Sequence, residues 1–311
     1  MAVAAIDRIG ALNQASTSDL AANRRGIAYL CAAMVCFVLN DALMKQVGQG
    51  LPVAQMIFVR GLMTLALLLG VARLTGATTR WARLGDRPLL WRAALDALGT
   101  LLYLLSLMHL PLANATAINL SAPLIMALAA VLLLHERAGP GRWVAIGAGF
   151  VGVLLVIQPR AHGFTGWALV CLAATFAHVA RELQTRRIDA AVPSILVTVD
   201  SAIAVLLMAA LLLPAQGWQP LRALQLGQLA LAAALLATGY FCVVNSMRHG
   251  EMSAVAPFRY VGLLVAVLLG WLLWREVPNA LAWGGIALMV GSGLFLMLEG
   301  HWRARAAAAS S

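Results

Sequence analysis

The sequence predicts an all-α integral membrane protein, with ten transmembrane helices arranged as two inverted five-helix repeats. Hydrophobic residues make up 62% of the 311 and charged residues 11%, against roughly a quarter charged in ordinary globular domains. The apolar residues gather into runs of ~20, the length that crosses ~30 Å of hydrocarbon. A single offset of 140 lays the second half on the first without a gap: Gly26 on Gly166, Cys31 on Cys171, Glu136 on Glu276 and Trp143 on Trp283. Five spans per half is an odd number, so the second half crosses the membrane in the opposite sense, which is the inverted-repeat design of secondary transporters.

Polar and Pro/Gly-rich interruptions bound the spans in order. An amino-terminal segment, 1–25, ends in Arg24-Arg25 and lacks the continuous apolar core of a signal peptide. The first repeat, 26–158, holds spans at 26–46, 52–74, 88–108, 113–134 and 141–158. They are separated by Gly48-Gln49-Gly50, the polar run after Arg73, His109-Leu110-Pro111, and His135-Glu136-Arg137. The second repeat, 165–299, holds spans at 165–183, 192–213, 225–247, 253–274 and 279–299, and a tail follows at 300–311. With the amino terminus inside, 15 arginines fall on cytoplasmic segments and only Lys45, Arg160, Arg222 and Arg275 on the other side. Basic residues collect in cytoplasmic loops, so both termini are expected in the cytoplasm.

The chain resembles the drug/metabolite transporter superfamily, and within it the EamA-type members. The likeness rests on Phe58-Val59-Arg60-Gly61 in the second span and Pro123 ahead of Leu134-His135-Glu136 in the fourth. It rests also on Gly147-Ala148-Gly149-Phe150-Val151-Gly152 in the fifth span and Gly291-Ser292-Gly293 in the tenth. What the resemblance implies is a multi-pass carrier of a bacterial inner membrane, moving a small organic metabolite by alternating access. An amino-acid-like or carboxylate-bearing solute that is exported is the first expectation. The run Pro257-Phe258-Arg259-Tyr260, with Gly270 and Arg275-Glu276-Val277-Pro278, looks like a subgroup for which uptake of riboflavin or S-adenosylmethionine has been proposed. Vitamin or cofactor uptake is therefore the alternative.

Ionisable residues inside a span are costly and mark function. Asp41 and Arg60 fall in the outer half of the membrane, and the offset carries them onto Arg181 and Asp200 in the inner half with their signs exchanged. Two ion pairs are expected, Asp41 with Arg60 and Arg181 with Asp200, serving as gates or else only tying neighbouring helices together. Arg259 corresponds to Asn119 in the fourth span. Its guanidinium stays charged and offers five donors, so it either takes a substrate carboxylate or phosphate in a central cavity or bridges to Asp96 or Asp200. Tyr260, Tyr240, Tyr103, Phe258, Phe241, His178 and Asn245 are cavity candidates beside it, since rings with a polar edge suit a planar solute, with Asn119 and Asp96 as further polar candidates; packing is the other role open to each. His178, Asp41, Asp96 and Asp200 are the groups able to carry a proton. Arg92 and Asp96, four residues apart, are set to pair on their own helix.

Pro123 and Pro257 each interrupt a span and permit a kink. Gly147, Gly149, Gly152, Gly284, Gly285 and Gly291 allow close approach of helices, within the scaffold or across a homodimer surface. The net charge of +10 sits at the ends of apolar runs, not on a patch with interleaved aromatics, so the bilayer and not nucleic acid is the expected partner. Cys31, Cys36, Cys171 and Cys242 lie within spans, without paired or ligand spacing, and read as small hydrophobes. No metal site or cofactor is expected. The other classes weighed are a membrane-embedded enzyme, for which no nucleophile set, phosphate loop or second histidine beside His135-Glu136-Arg137 is present, and a ring-lined channel.

Overall fold

A computed structural model describes residues 2–74, 86–133, 139–158, 166–185, 187–189, 192–249 and 255–309. The helices are α1 Ala2–Val47, α2 Val53–Leu74, α3 Arg87–Leu107, α4 Leu112–Asn119, α5 Ala122–Leu133, α6 Pro140–Ile157 and α7 Trp167–Thr185. They continue as α8 Ser194–Gln216, α9 Ala223–His249, a 3-10 turn Ala256–Tyr260, α10 Val261–Trp274 and α11 Ala280–Ala309. Among the described residues, eight helical stretches are long and apolar enough to cross a membrane, α4 and α5 together forming one of them. A shorter apolar stretch, Ala280–Leu296, forms the body of α11. The sixth expected span, α7, falls short on composition because His178, Arg181 and Glu182 share its last three turns. The loop motif His135-Glu136-Arg137 and the residues around Ser253 lie outside the described residues.

Prolines open α3 and α6 at their first turns, where a missing N–H leaves no intrahelical bond unmade. The two kink prolines fall at different places in their repeats, yet the chain leaves α geometry at matched positions. The fourth span breaks at Leu120-Ser121 between α4 and α5, with Pro123 in the first turn of α5. Adding the offset to Leu120-Ser121 gives Tyr260-Val261, where the 3-10 turn containing Pro257 passes into α10. Ser121 answers its own break by donating its hydroxyl to Ile118 O at 2.6 Å.

The halves interlock. The most extensive packing pairs α1 with α9, α3 with α7, α6 with α11 and α2 with α8, each time one helix from either half. Exchange of the halves carries the α1/α9 contact onto α7/α3, and the α3/α8 contact onto α9/α2. Contacts within a half are sparse by comparison. Where α6 crosses α11 the backbones nearly touch: a Cβ added at Gly152 would meet Gly285 O at 2.7 Å, and one at Gly285 would meet Gly152 O at 2.5 Å. Gly149 is likewise close to Leu124, whereas Gly147, Gly284 and Gly291 have nothing within 4 Å and point away from the bundle. The expectation that all six glycines serve close approach therefore divides, with three at helix crossings and three on the outer surface.

Gly152→Ala and Gly285→Ala should each cost about 1–3 kcal/mol through backbone overlap, and Gly147→Ala should cost nothing, since alanine favours the helix. Thermal unfolding of the three purified variants in one detergent checks this ordering.

Candidate functional site

A cavity of about 130 Å³ lies among α2, α3, α8 and α9, the four helices that exchange with one another when the halves are exchanged. Its polar lining comprises Arg60, Thr64, Arg92, Asp96, Thr100, Thr198, Ser201 and Tyr240. Arg60 and Thr64 are one turn apart on α2 and share a face. Arg92 and Thr198 stand in the second turns of α3 and α8, so the cavity runs from mid-bundle toward the end where those helices begin.

The expected ion pairs form with different partners. Arg181 binds Asp96 at 2.6 Å, not Asp200, because α7 packs along α3 and not along its sequence neighbour α8. Glu182 lies 3.7 Å from the same guanidinium. Arg60 does not meet Asp41 directly. Its Nη1 donates to Asn40 Oδ1 at 3.1 Å, Asn40 Nδ2 donates to Asp41 Oδ1 at 2.9 Å, and Tyr103 OH donates to Asp41 Oδ2 at 2.8 Å. Asn40 thus stands between the charges and fixes both. Arg92 does not pair with Asp96 along α3; it donates to Thr185 Oγ1 at 2.9 Å and to Ser201 Oγ and Val197 O on α8. Asp200, on α8, keeps a buried Oδ2 with no hydrogen-bond partner.

Of the other sequence candidates, Tyr240 and Asp96 line the cavity, and His178 and Asn119 form a second polar contact beside it, Nδ1 and Oδ1 being 3.2 Å apart. The His178 ring is 6.4 Å from that of Tyr103. Arg259 is placed elsewhere. It sits in the 3-10 turn against α1, lines no part of this cavity, and among the described residues forms no ion pair with Asp96 or Asp200. Tyr260, Phe258 and Pro257 border an apolar groove shared with Trp283 and Ile286. Asn245 turns back to Phe241 O at 2.9 Å on its own helix, and Phe241 faces outward.

At the opposite end of the bundle, ties join the halves around a second cavity of about 280 Å³ lined in part by His109, Gln158 and Asn279. Lys45, the only lysine in the chain, is buried and donates to Leu110 O at 2.8 Å and to both Glu276 oxygens at 2.9 and 2.8 Å. Glu276 also accepts the Leu112 N–H at 3.2 Å, and the Lys45 ammonium lies 4.9 Å from the Trp274 ring centroid. Gln55 exchanges hydrogen bonds with the Gln219 backbone at 2.7 and 2.9 Å, and Gln158 does the same with the Asn279 side chain at 2.7 and 3.0 Å. The His109 ring stacks on Trp167 at 3.9 Å.

A polar cavity between two halves tied together at one end fits a carrier, and the comparisons agree. The EamA-like transporter family model matches residues 24–158 and matches again at 165–298. The chain belongs to this family. Similar proteins include a riboflavin transporter of Rhizobium johnstonii, 30% identical over 67% of this chain and 69% of that protein. The pseudopaline exporter CntI of Pseudomonas aeruginosa is 28% identical, covering 86% of this chain and 94% of its own. An S-adenosylmethionine uptake transporter of Rickettsia conorii is 23% identical over 88% and 92%. One solved crystal structure superposes with TM-score 0.59 at 18% identity, over 87% of this chain and 96% of its own, and so shares the fold.

This EamA-type transporter places in its cavity several residues that sequence reasoning passed over: Thr64, Thr100, Thr198 and Ser201. Thr64 was signalled by its spacing of four from Arg60. Lys45 was counted only in the charge balance of the outer side and Glu276 only as the repeat partner of Glu136, although a lone lysine closing an apolar run against a glutamate in the other half was the available signal.

Because Asp96 is buried and held by Arg181, Asp96→Ala should destabilise the protein by about 3 kcal/mol by stranding a guanidinium. The Asp96→Ala/Arg181→Ala double variant should recover part of that loss, measured as the coupling in a double-mutant cycle of thermal stability.

Proposed function

We propose that this chain is a secondary transporter of the bacterial inner membrane, with both termini in the cytoplasm. It moves a small organic solute, amino-acid-like or carboxylate-bearing, by alternating access between its two halves, and export is the direction favoured. The observation that carries this reading is the polar cavity on the exchange axis of the halves, which are tied together at one end by Lys45 with Glu276 and by Gln55 with Gln219. The basic residues support the orientation: arginines crowd the end where α3 and α8 begin, and the tied end then faces away from the cytoplasm. Uptake of a vitamin or cofactor is the second reading, supported by the similarity to the riboflavin and S-adenosylmethionine transporters. Counterflow of radiolabelled amino acids, carboxylates, riboflavin and S-adenosylmethionine into proteoliposomes tests transport, and assays in vesicles of either orientation distinguish export from uptake.

The ties make a further prediction. In a background without native cysteines, a cysteine at Thr198 should be labelled by an impermeant maleimide from the cytoplasmic side only. Glu276→Gln leaves the Lys45 charge without its partner and should raise labelling from the other side several-fold, as expected for ~1–3 kcal/mol removed from one conformation.

A further inference from the structure

Within the cavity one guanidinium is only half used. Arg60 is 5% exposed, and its single hydrogen bond among the described residues runs from Nη1 to Asn40. Its Nε is buried with no partner, and no bond is formed by Nη2 among the described residues, so the Nε–Nη2 edge of the fork is free. Thr64, also 5% exposed and one turn along the same face of α2, has a buried hydroxyl that is likewise unpartnered. Both residues line the cavity. Unanswered donors in the hydrocarbon interior are costly, and a native site keeps them for something that arrives. The other arginine in the wall, Arg92, is spent on Thr185, Ser201 and Val197 O. The one aspartate in the wall, Asp96, is held by Arg181.

We infer that the Nε–Nη2 edge of Arg60 together with the Thr64 hydroxyl forms the subsite for a single substrate carboxylate. A planar fork with two parallel donors matches the two oxygens of a carboxylate, and the neighbouring hydroxyl adds a third donor on the same side. Asn40, Asp41 and Tyr103 act behind it as positioning residues: they hold Nη1 and so fix the plane in which the free edge is presented. This assignment rests on the transport reading and replaces Arg259 as the anion-binding arginine.

The test uses the full-length protein in lipid nanodiscs, heated with acetate, lactate or L-alanine, each beside its primary amide, and with inorganic phosphate. Ligand bound to the folded state raises the apparent melting temperature by mass action. The expected result is stabilisation by at least one carboxylate and not by its amide, weakened about tenfold or more in Arg60→Lys, which keeps the charge and loses the fork, and about threefold in Thr64→Val. Equal stabilisation by the amides, preference for phosphate, unchanged binding in Arg60→Lys, or no response to any carboxylate would each overturn the assignment. Should Arg60→Lys not fold, unchanged carboxylate affinity in Thr64→Val overturns it. Failure of the transport reading is separable: if solutes lacking a carboxylate undergo counterflow in proteoliposomes, the carrier stands and only the carboxylate subsite falls.

Discussion

A guanidinium in hydrocarbon must be met by an acceptor from some other helix, and Arg181 is met by Asp96 at 2.6 Å. That requirement sets much of the rest. The pair joins α7 to α3, and hence one half of the chain to the other, in the region where α7 is too polar to stand alone as a span. Lys45 and Glu276 make the corresponding demand at the far end and again bridge the halves. Charges that lipid would reject thus become the ties that decide which helices are neighbours.

From this follows the distinction between parts that are fixed and parts able to move. The α6/α11 crossing is locked by Gly152 against Gly285, where a single methyl group would collide with backbone. The tied end, by contrast, is held by side-chain hydrogen bonds, by one ion pair and by stacking of His109 on Trp167. Each such contact contributes little net stability, on the order of 1 kcal/mol, so the ties can be exchanged for another arrangement without unfolding the bundle. Both halves break α geometry at equivalent positions, Leu120-Ser121 and Tyr260-Val261.

The fold class was legible because hydropathy and a constant offset are properties of the sequence itself: run length tells span from loop, and Gly26 on Gly166 or Trp143 on Trp283 tells repeat from coincidence. Helix adjacency was not legible. Sequence neighbours such as α7 and α8 are not packing partners here, so the expected Arg181–Asp200 pair gave way to Arg181–Asp96, and Asn40 came between Asp41 and Arg60. The same limit misplaced Arg259, whose depth could be counted from the chain but whose azimuth could not; the 3-10 turn directs its neighbours Phe258 and Tyr260 toward an apolar groove. Asp96 and Tyr240 line the cavity, and so does Arg60, which was expected only in an ion pair, because the helices that bear them, α2, α3 and α9, meet on the exchange axis.

The central claim is that two interlocked halves alternate about one cavity. Distance measurements between paired spin labels test it most directly, with one pair at exposed Gln49 and Arg222 on the tied end and another at exposed Arg87 and Arg187 on the other. Alternating access predicts two distance populations at each end, with solute shifting them in opposite senses, so that one end lengthens as the other shortens. A single distribution at both ends, unchanged by any transported solute, would contradict the account.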